Sequence, residues 1–324
     1  MPLLAAFLSL ALLAPISQAR QARAQEAPVY LALGDSLAVG VGASNPSTLG
    51  YVARAYGSLR TSERYGQSGL DVINLSVAGA TSDDLAAEGG QLDLAIDEIA
   101  SRRDSGAPGD EVEIISLDIG GNDLLSLVGP GSPCLESASV EPCRAAFGDV
   151  LSAIQNNLTD ALARLREAAP EAIIVVVDLY NPYSGTGDLR EAIAELGVGQ
   201  ANGVISAVTA DPDLRVKTAA IAQLFSGRGG QWVAPDGIHP NDNGHAVIAE
   251  AVLAGIDSRE AAIPDDLLSA SPEATAPAVD TSADEDTSTN GDGVAAGLFA
   301  GAIAVAFLAG IAVSGAYFVA RGRR

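Results

Sequence analysis

Short apolar runs alternate with longer amphipathic stretches through the middle of the chain. Residues 29–33, 71–75, 111–117 and 172–178 are strand-length and rich in Val, Ile and Leu. Runs of that length bounded by turn residues predict buried strands. Residues 214–217 predict a fifth, short edge strand. Between the runs lie stretches of helical period, at 48–61, 91–101, 147–168 and 188–209, with a last one over about 244–256. Leu158, Leu162 and Leu165 draw the apolar stripe of the third of these. Strand–helix alternation predicts an α/β fold: a three-layer α/β/α arrangement with a central, mostly parallel five-stranded sheet. Sites in such sheets form beyond the C-terminal ends of the strands.

The two ends carry a different pattern. Residues 3–16 form a Leu- and Ala-rich run that is too short to span a bilayer and has the length of a signal-peptide core. Ala22-Arg23-Ala24 supplies a small-x-small cleavage site, although no Lys or Arg precedes the run. Residues 294–320 contain no charge and end at Arg321, Arg323 and Arg324. At 1.5 Å per residue that run reaches about 40 Å, enough to cross a membrane with tilt. Its basic end is expected to face the cytoplasm. Residues 264–293 hold Ser, Thr, Pro and acidic residues with no Lys or Arg, and predict a solvated stalk. The expected plan is a signal peptide (1–24), a domain (25–263), the stalk, a membrane helix (294–320) and a short basic tail (321–324). The domain would then lie outside the cytoplasm, with the membrane as partner through its C-terminal helix.

Composition narrows the chemistry. The chain holds 18 basic and 41 acidic residues, a net charge of −23, which repels phosphate backbones and excludes nucleic acid as a partner. Two cysteines cannot hold an iron–sulfur cluster, and Cys134 and Cys143 are too far apart in sequence for a zinc knuckle. No metal and no cofactor is expected. The stretch from His239 to Gly244 lacks the leading acid of a calcium loop.

The polar residues gather where the strands should end. Gly34-Asp35-Ser36-Leu37 follows the first strand, Ser76-Val77-Ala78-Gly79-Ala80 the second and Gly120-Gly121-Asn122-Asp123 the third. Asp236-Gly237-Ile238-His239-Pro240 stands near the end of the domain. Each alone reads as a turn or a helix cap. In this order and spacing the four blocks resemble the SGNH, or GDSL, hydrolase superfamily. The first block is similar to its extracellular bacterial lipase and esterase branch. The resemblance implies an SGNH-hydrolase, flavodoxin-like fold and a serine esterase or lipase acting on acyl esters. It implies Ser36 as nucleophile, His239 as general base and Asp236 as the residue orienting it. The backbone N–H groups of Ser36 and Gly79 and the side-chain amide of Asn122 would form the oxyanion hole. A carbohydrate O-acetyl esterase and a surface-binding module on the same fold are the alternatives.

Chemistry agrees with that assignment. A serine hydroxyl needs a neighbouring base, and imidazole suits neutral pH. The chain has two histidines. His245 falls within the last helical stretch and is expected to cap or pack, whereas His239 falls in a loop beside Pro240. Outside the cell Cys134 and Cys143 are expected to be bonded, closing a small loop beside the site. Tyr183 and Trp232 are expected near the rim, where each either meets substrate or packs.

Overall fold

A computed structural model describes residues 27–268 except 108, 129, 130 and 138. The expected signal segment, the apolar run at 294–320, the basic tail and most of the stalk lie outside the described residues.

Five strands, β1 (Val29–Gly34), β2 (Asp71–Asn74), β3 (Val112–Asp118), β4 (Ile173–Val177) and β5 (Val216–Ala219), form one sheet in the order β2-β1-β3-β4-β5. Every pair is parallel, so the sheet is wholly rather than mostly parallel. The first half of the chain contributes helices α1 (Ser36–Val39), α2 (Pro46–Leu49), α3 (Tyr51–Arg60), α4 (Ser82–Ala86) and α5 (Gln91–Ser105). Next come α6 (Gly121–Ser126), α7 (Pro133–Glu136), α8 (Val140–Ala168) and α9 (Leu189–Thr209). Last are α10 (Ile221–Phe225), α11 (Gly229–Trp232), α12 (Asp242–Asp257) and α13 (Asp265–Leu268).

Alternation along β1 builds the three layers. Leu31 and Leu33 point into one apolar cluster with Leu92 and Ile99 of α5 and Leu158, Leu162 and Leu165 of α8. Tyr30 and Ala32 point into the other, with Tyr51 and Val52 of α3 and Val247, Ile248 and Val252 of α12. A strand covered on both faces is apolar throughout, as β1 and β4 are. The outlying β2 differs from expectation: it is an edge strand and largely exposed.

Three other differences have local causes. The helix expected over 48–61 is broken at Gly50, whose backbone is extended at φ −61° and ψ 152°. A Cβ there would lie 2.7 Å from the Pro46 carbonyl oxygen and 3.0 Å from Gly40 Cα. The helix expected from 147 begins at Val140 instead, running through Pro142. Proline is tolerated in a first turn, where its missing N–H has no helical partner to lose. At the acidic segment, α13 holds Leu267 against the α3–α12 cluster, so the first residues past 263 still touch the domain.

The register sets the site. Gly34, Asp118, Val177 and Ala219 stand in one row across β1, β3, β4 and β5. The chain leaves β1 towards β2 and returns past β1 to β3, so the strand order reverses between β1 and β3. Ligands of open α/β sheets bind at that switch point.

Candidate active site

Ser36 leaves β1 as the first residue of α1 and is partly exposed. Asp35 caps that helix, its Oδ1 accepting the Leu37 N–H at 2.9 Å. From the other end of the domain, the turn before α12 brings His239 alongside. Its Nε2 lies 2.9 Å from Ser36 Oγ, across 203 residues of sequence. His239 Nδ1 lies 2.7 Å from Asp236 Oδ2. A carboxylate accepts, so Nδ1 carries the ring proton and Nε2 is left to accept the serine hydroxyl. Asp236 Oδ1 also accepts the N–H groups of Ile238 and His239, each at 3.0 Å. Partial burial pushes the Asp236 carboxyl up, but those amides and the His239 ring outweigh it and hold it below the ordinary carboxylate range. The Tyr180 hydroxyl donates to the Ile238 carbonyl and steadies the same turn.

Asn122 stands in the first turn of α6, after β3. Its Nδ2 donates to Asp35 Oδ2 at 3.1 Å and to the Ala80 carbonyl at 3.0 Å. The amide thus ties the turn that carries Ser36 to the loop after β2. Asp123 makes a second tie to that loop, accepting the Ser82 N–H at 2.9 Å and its hydroxyl at 2.6 Å. Gly79 lies in the exposed turn just before Ala80, at φ +84°. A Cβ there would meet nothing within 4 Å, so its backbone conformation, not crowding, calls for glycine. The structure thus brings Ser36, His239, Asp236 and Asn122 together, whereas Gly79 lies in the turn before Ala80 and does not line the cleft onto which Ser36, Asn122 and His239 open.

Several supporting residues carried no signal in the sequence. Asp118, at the end of β3, is buried beside the turn that carries Ser36. It accepts the Asp35 N–H at 3.1 Å and the Tyr51 hydroxyl at 2.5 Å. Burial pushes the Asp35 and Asp118 carboxyls up, and the neighbouring Asp35 charge pushes Asp118 further, well above the ordinary range. Gln91 clamps the residue before Asp35, its side chain accepting from Gly34 N and donating to Gly34 O, both at 2.9 Å. A helix-starting Gln and a strand-ending Asp are too common to be singled out in one sequence.

A cleft of about 470 Å³ opens from Ser36 and His239. One side is the α9 stripe Arg190, Ile193, Ala194 and Gly197, at helical spacing. Leu124, Leu127, Phe147 and the bonded pair Cys134–Cys143 line the cleft as well. Tyr183 lines the cleft with the Arg190 guanidinium 5.2 Å from its ring centre. Trp232 does not reach the rim: it is buried edge-on against Phe225. Asp178, at the end of β4, also lines the cleft, and burial pushes its carboxyl up to about 6 against two backbone N–H donors. Asn74 and Asn157, which begin sequons, have their amide nitrogens engaged within the domain.

A search of curated proteins finds no match. Among solved structures, the chain is similar to a lipase from a goat rumen metagenome, at 21% identity and a TM-score of 0.54 over 70% of this chain and 97% of that one. It is also similar to an extracellular lipase from Streptomyces rimosus, at 22% identity and a TM-score of 0.48 over 72% of this chain and 100% of that one. A variant acetyl xylan esterase from Geobacillus stearothermophilus follows at 18% identity and a TM-score of 0.47, over 74% of this chain and 100% of that one. Likeness at such identities speaks to the fold alone. The GDSL-like lipase/acylhydrolase family matches residues 32–247, which take in Ser36, Asn122, Asp236 and His239. With two thirds of its length matched and its strand ends arranged as described, the chain belongs to the GDSL-like lipase/acylhydrolase family.

Proposed function

We propose that the protein is a serine esterase that hydrolyses acyl esters of medium to long chain through an acyl-enzyme. The observation that carries this reading is the relay Asp236–His239–Ser36, hydrogen-bonded at 2.7 and 2.9 Å and opening onto an apolar cleft. In the proposed reaction His239 Nε2 takes the hydroxyl proton as Ser36 Oγ attacks the ester carbonyl. Asp236 holds the ring in the required tautomer and stabilises the imidazolium that forms. The imidazolium then gives its proton to the leaving alcohol. Water, activated by the same ring, releases the acid and restores Ser36.

Negative charge on the tetrahedral intermediate would be met by the N–H groups of Ser36 and Gly79 and by the Asn122 amide. Both Asn122 hydrogens are engaged in the free protein, so donation to an oxyanion requires the amide to release or share its bond to Asp35 or to Ala80. Catalytic hydrogen bonds commonly tighten only when substrate is bound.

The cleft favours a lipid-like acyl group over the acetyl group of a decorated glycan. Its walls of Leu124, Leu127, Phe147 and Ile193 offer apolar contact, worth about 0.8 kcal/mol for each methylene withdrawn from water. An acetyl group uses almost none of that surface. The membrane-tethered, extracytoplasmic setting rests on the signal-like run, the stalk composition and the uncharged run at 294–320. The reading is tested with full-length protein on nitrophenyl esters of increasing chain length, alongside acetylated xylan. It expects kcat/KM to rise from the acetyl ester towards chains of about eight to twelve carbons. Preference for acetylated xylan would favour the O-acetyl esterase, and no turnover of any ester would favour a binding module.

A further inference from the structure

The chemistry above leaves the second histidine unused. His245 is fully buried in the first turn of α12. Its Nδ1 faces the Tyr51 N–H at 3.3 Å, and its Nε2 faces the Val41 carbonyl oxygen at 3.0 Å. An N–H donates and a carbonyl accepts, so Nδ1 is the bare nitrogen and Nε2 carries the proton. Burial holds the charged form down and keeps the ring in that neutral tautomer.

The Val41 end of this bridge belongs to the nucleophile. Val41 N–H donates to the Ser36 carbonyl at 2.9 Å, closing the turn that begins with Ser36. Next in the chain, Gly42 sits at φ +92° against the base: a Cβ there would lie 2.3 Å from the Pro240 carbonyl oxygen and 2.9 Å from His239 Cβ. Ser44 then binds Asp242 through its N–H at 2.7 Å and its hydroxyl at 2.6 Å. Residues 41–44 therefore form a strap between the Ser36 turn and the His239 turn. His245 grips the strap from below, and its own N–H is tied to Asn241 at 2.9 Å, two residues from His239.

We propose that His245 is a positioning residue for the serine chemistry: by donating from Nε2 to Val41 it sets the separation between Ser36 Oγ and His239 Nε2. The proposal rests on the serine-esterase reading. Nucleophile and base stand on separate elements, and proton transfer across 2.9 Å tolerates little misplacement. The Tyr51 bond, by contrast, only joins α12 to α3.

Two substitutions separate these roles. His245→Gln sets an amide nitrogen near the place of Nε2 and keeps the Val41 bond while losing the acceptor for Tyr51. His245→Asn sets an amide oxygen near the place of Nδ1 and keeps the Tyr51 bond while losing Val41. Full-length wild type, both variants and Ser36→Ala are compared for kcat, KM, Tm and the rate of labelling by a fluorophosphonate. The expected result is a fall of about tenfold or more in kcat and labelling rate for His245→Asn, with KM little changed. His245→Gln is expected to stay within about threefold of wild type even where its Tm is as low as that of His245→Asn. Equal losses in the two variants, or losses in neither, overturn the proposal. Should His245→Asn fail to fold, His245→Leu, which loses both bonds, decides: its labelling is expected to be about tenfold slower than that of His245→Gln, and equal rates in the two overturn the proposal. Absence of labelling in wild type is a separate result, which rejects the serine reading itself.

Discussion

Asp35 donates its backbone N–H to the Asp118 carboxyl at 3.1 Å, binding the residue before Ser36 to the end of the neighbouring strand. The contact is possible because Gly34 has no side chain: a Cβ there would lie 2.5 Å from the Asp118 carbonyl oxygen and 2.6 Å from its carboxyl. Asp118→Ala removes the acceptor for both Asp35 N–H and Tyr51 hydroxyl inside the fold. It is expected to cost about 3 kcal/mol or more of stability, measured by denaturant unfolding. Asp118→Asn keeps the shape and one acceptor and is expected to cost less than half as much.

Asn122→Ala tests the amide between Asp35 and Ala80. If Asn122 meets the oxyanion, kcat falls by about 100-fold or more while KM moves little, since the interaction grows only towards the transition state. Steady-state kinetics on one nitrophenyl ester measure both. An unchanged kcat would leave Asn122 as a tie between loops.

Much of this was legible in the sequence, and the reason is local. Each of Ser36, Asn122, Asp236 and His239 follows a strand end or precedes a helix, where backbone punctuation and side-chain chemistry sit within a few residues. All five strands fall within two residues of expectation, because short runs rich in Val, Ile and Leu between turn residues mark them. The short last strand lies at an edge as expected, whereas β2, expected to be buried, forms the other edge, because strand order is set by pairing partners distant in the chain. Asp118, Gln91 and Tyr51 escaped notice because their meaning is tertiary: each is ordinary in its own element and matters through a partner 57 to 83 residues away. His245 was expected to cap or pack, and its bridge from α12 to Val41 spans 204 residues.

Gly197 supplies a test of the cleft. It lies on the α9 face that lines the cavity, and a Cβ there would meet nothing within 4 Å. Gly197→Leu is therefore expected to raise stability by about 0.5–1 kcal/mol through helix propensity. The added side chain fills the cleft, so activity on long-chain esters falls while activity on acetyl and butyryl esters is kept. Chain-length profiles with a melting curve check both halves.

The Cys134–Cys143 bond pins another part of the cleft lining by closing a span of 9 residues. Its removal in the double Cys→Ser variant is expected to cost about 2–3 kcal/mol and lower the Tm. Because both residues line the cleft, the loss should also flatten the chain-length preference. A lower Tm with an unaltered profile would make the bond a staple alone.

Asp178 predicts a pH dependence with a definite sign. Its folded pKa of about 6 lies above the ordinary 3.8, so between those values the folded protein holds more protons than the unfolded chain. Stability therefore falls as pH rises through that window. Asp178→Asn keeps an acceptor for the Ile221 and Ala222 N–H groups and removes the titration. The variant should gain on wild type by about 1–2 kcal/mol between pH 4 and 7. Urea unfolding across that range measures the difference, and parallel curves would contradict it.

The central claim is that Ser36 is activated by His239. Its most direct test is peptide mapping by mass spectrometry after fluorophosphonate treatment of wild type, Ser36→Ala and His239→Ala. A single adduct on Ser36 is expected, absent in Ser36→Ala and formed at least about 100-fold more slowly in His239→Ala. An adduct on another residue, or labelling of Ser36 at the wild-type rate without His239, would contradict the account.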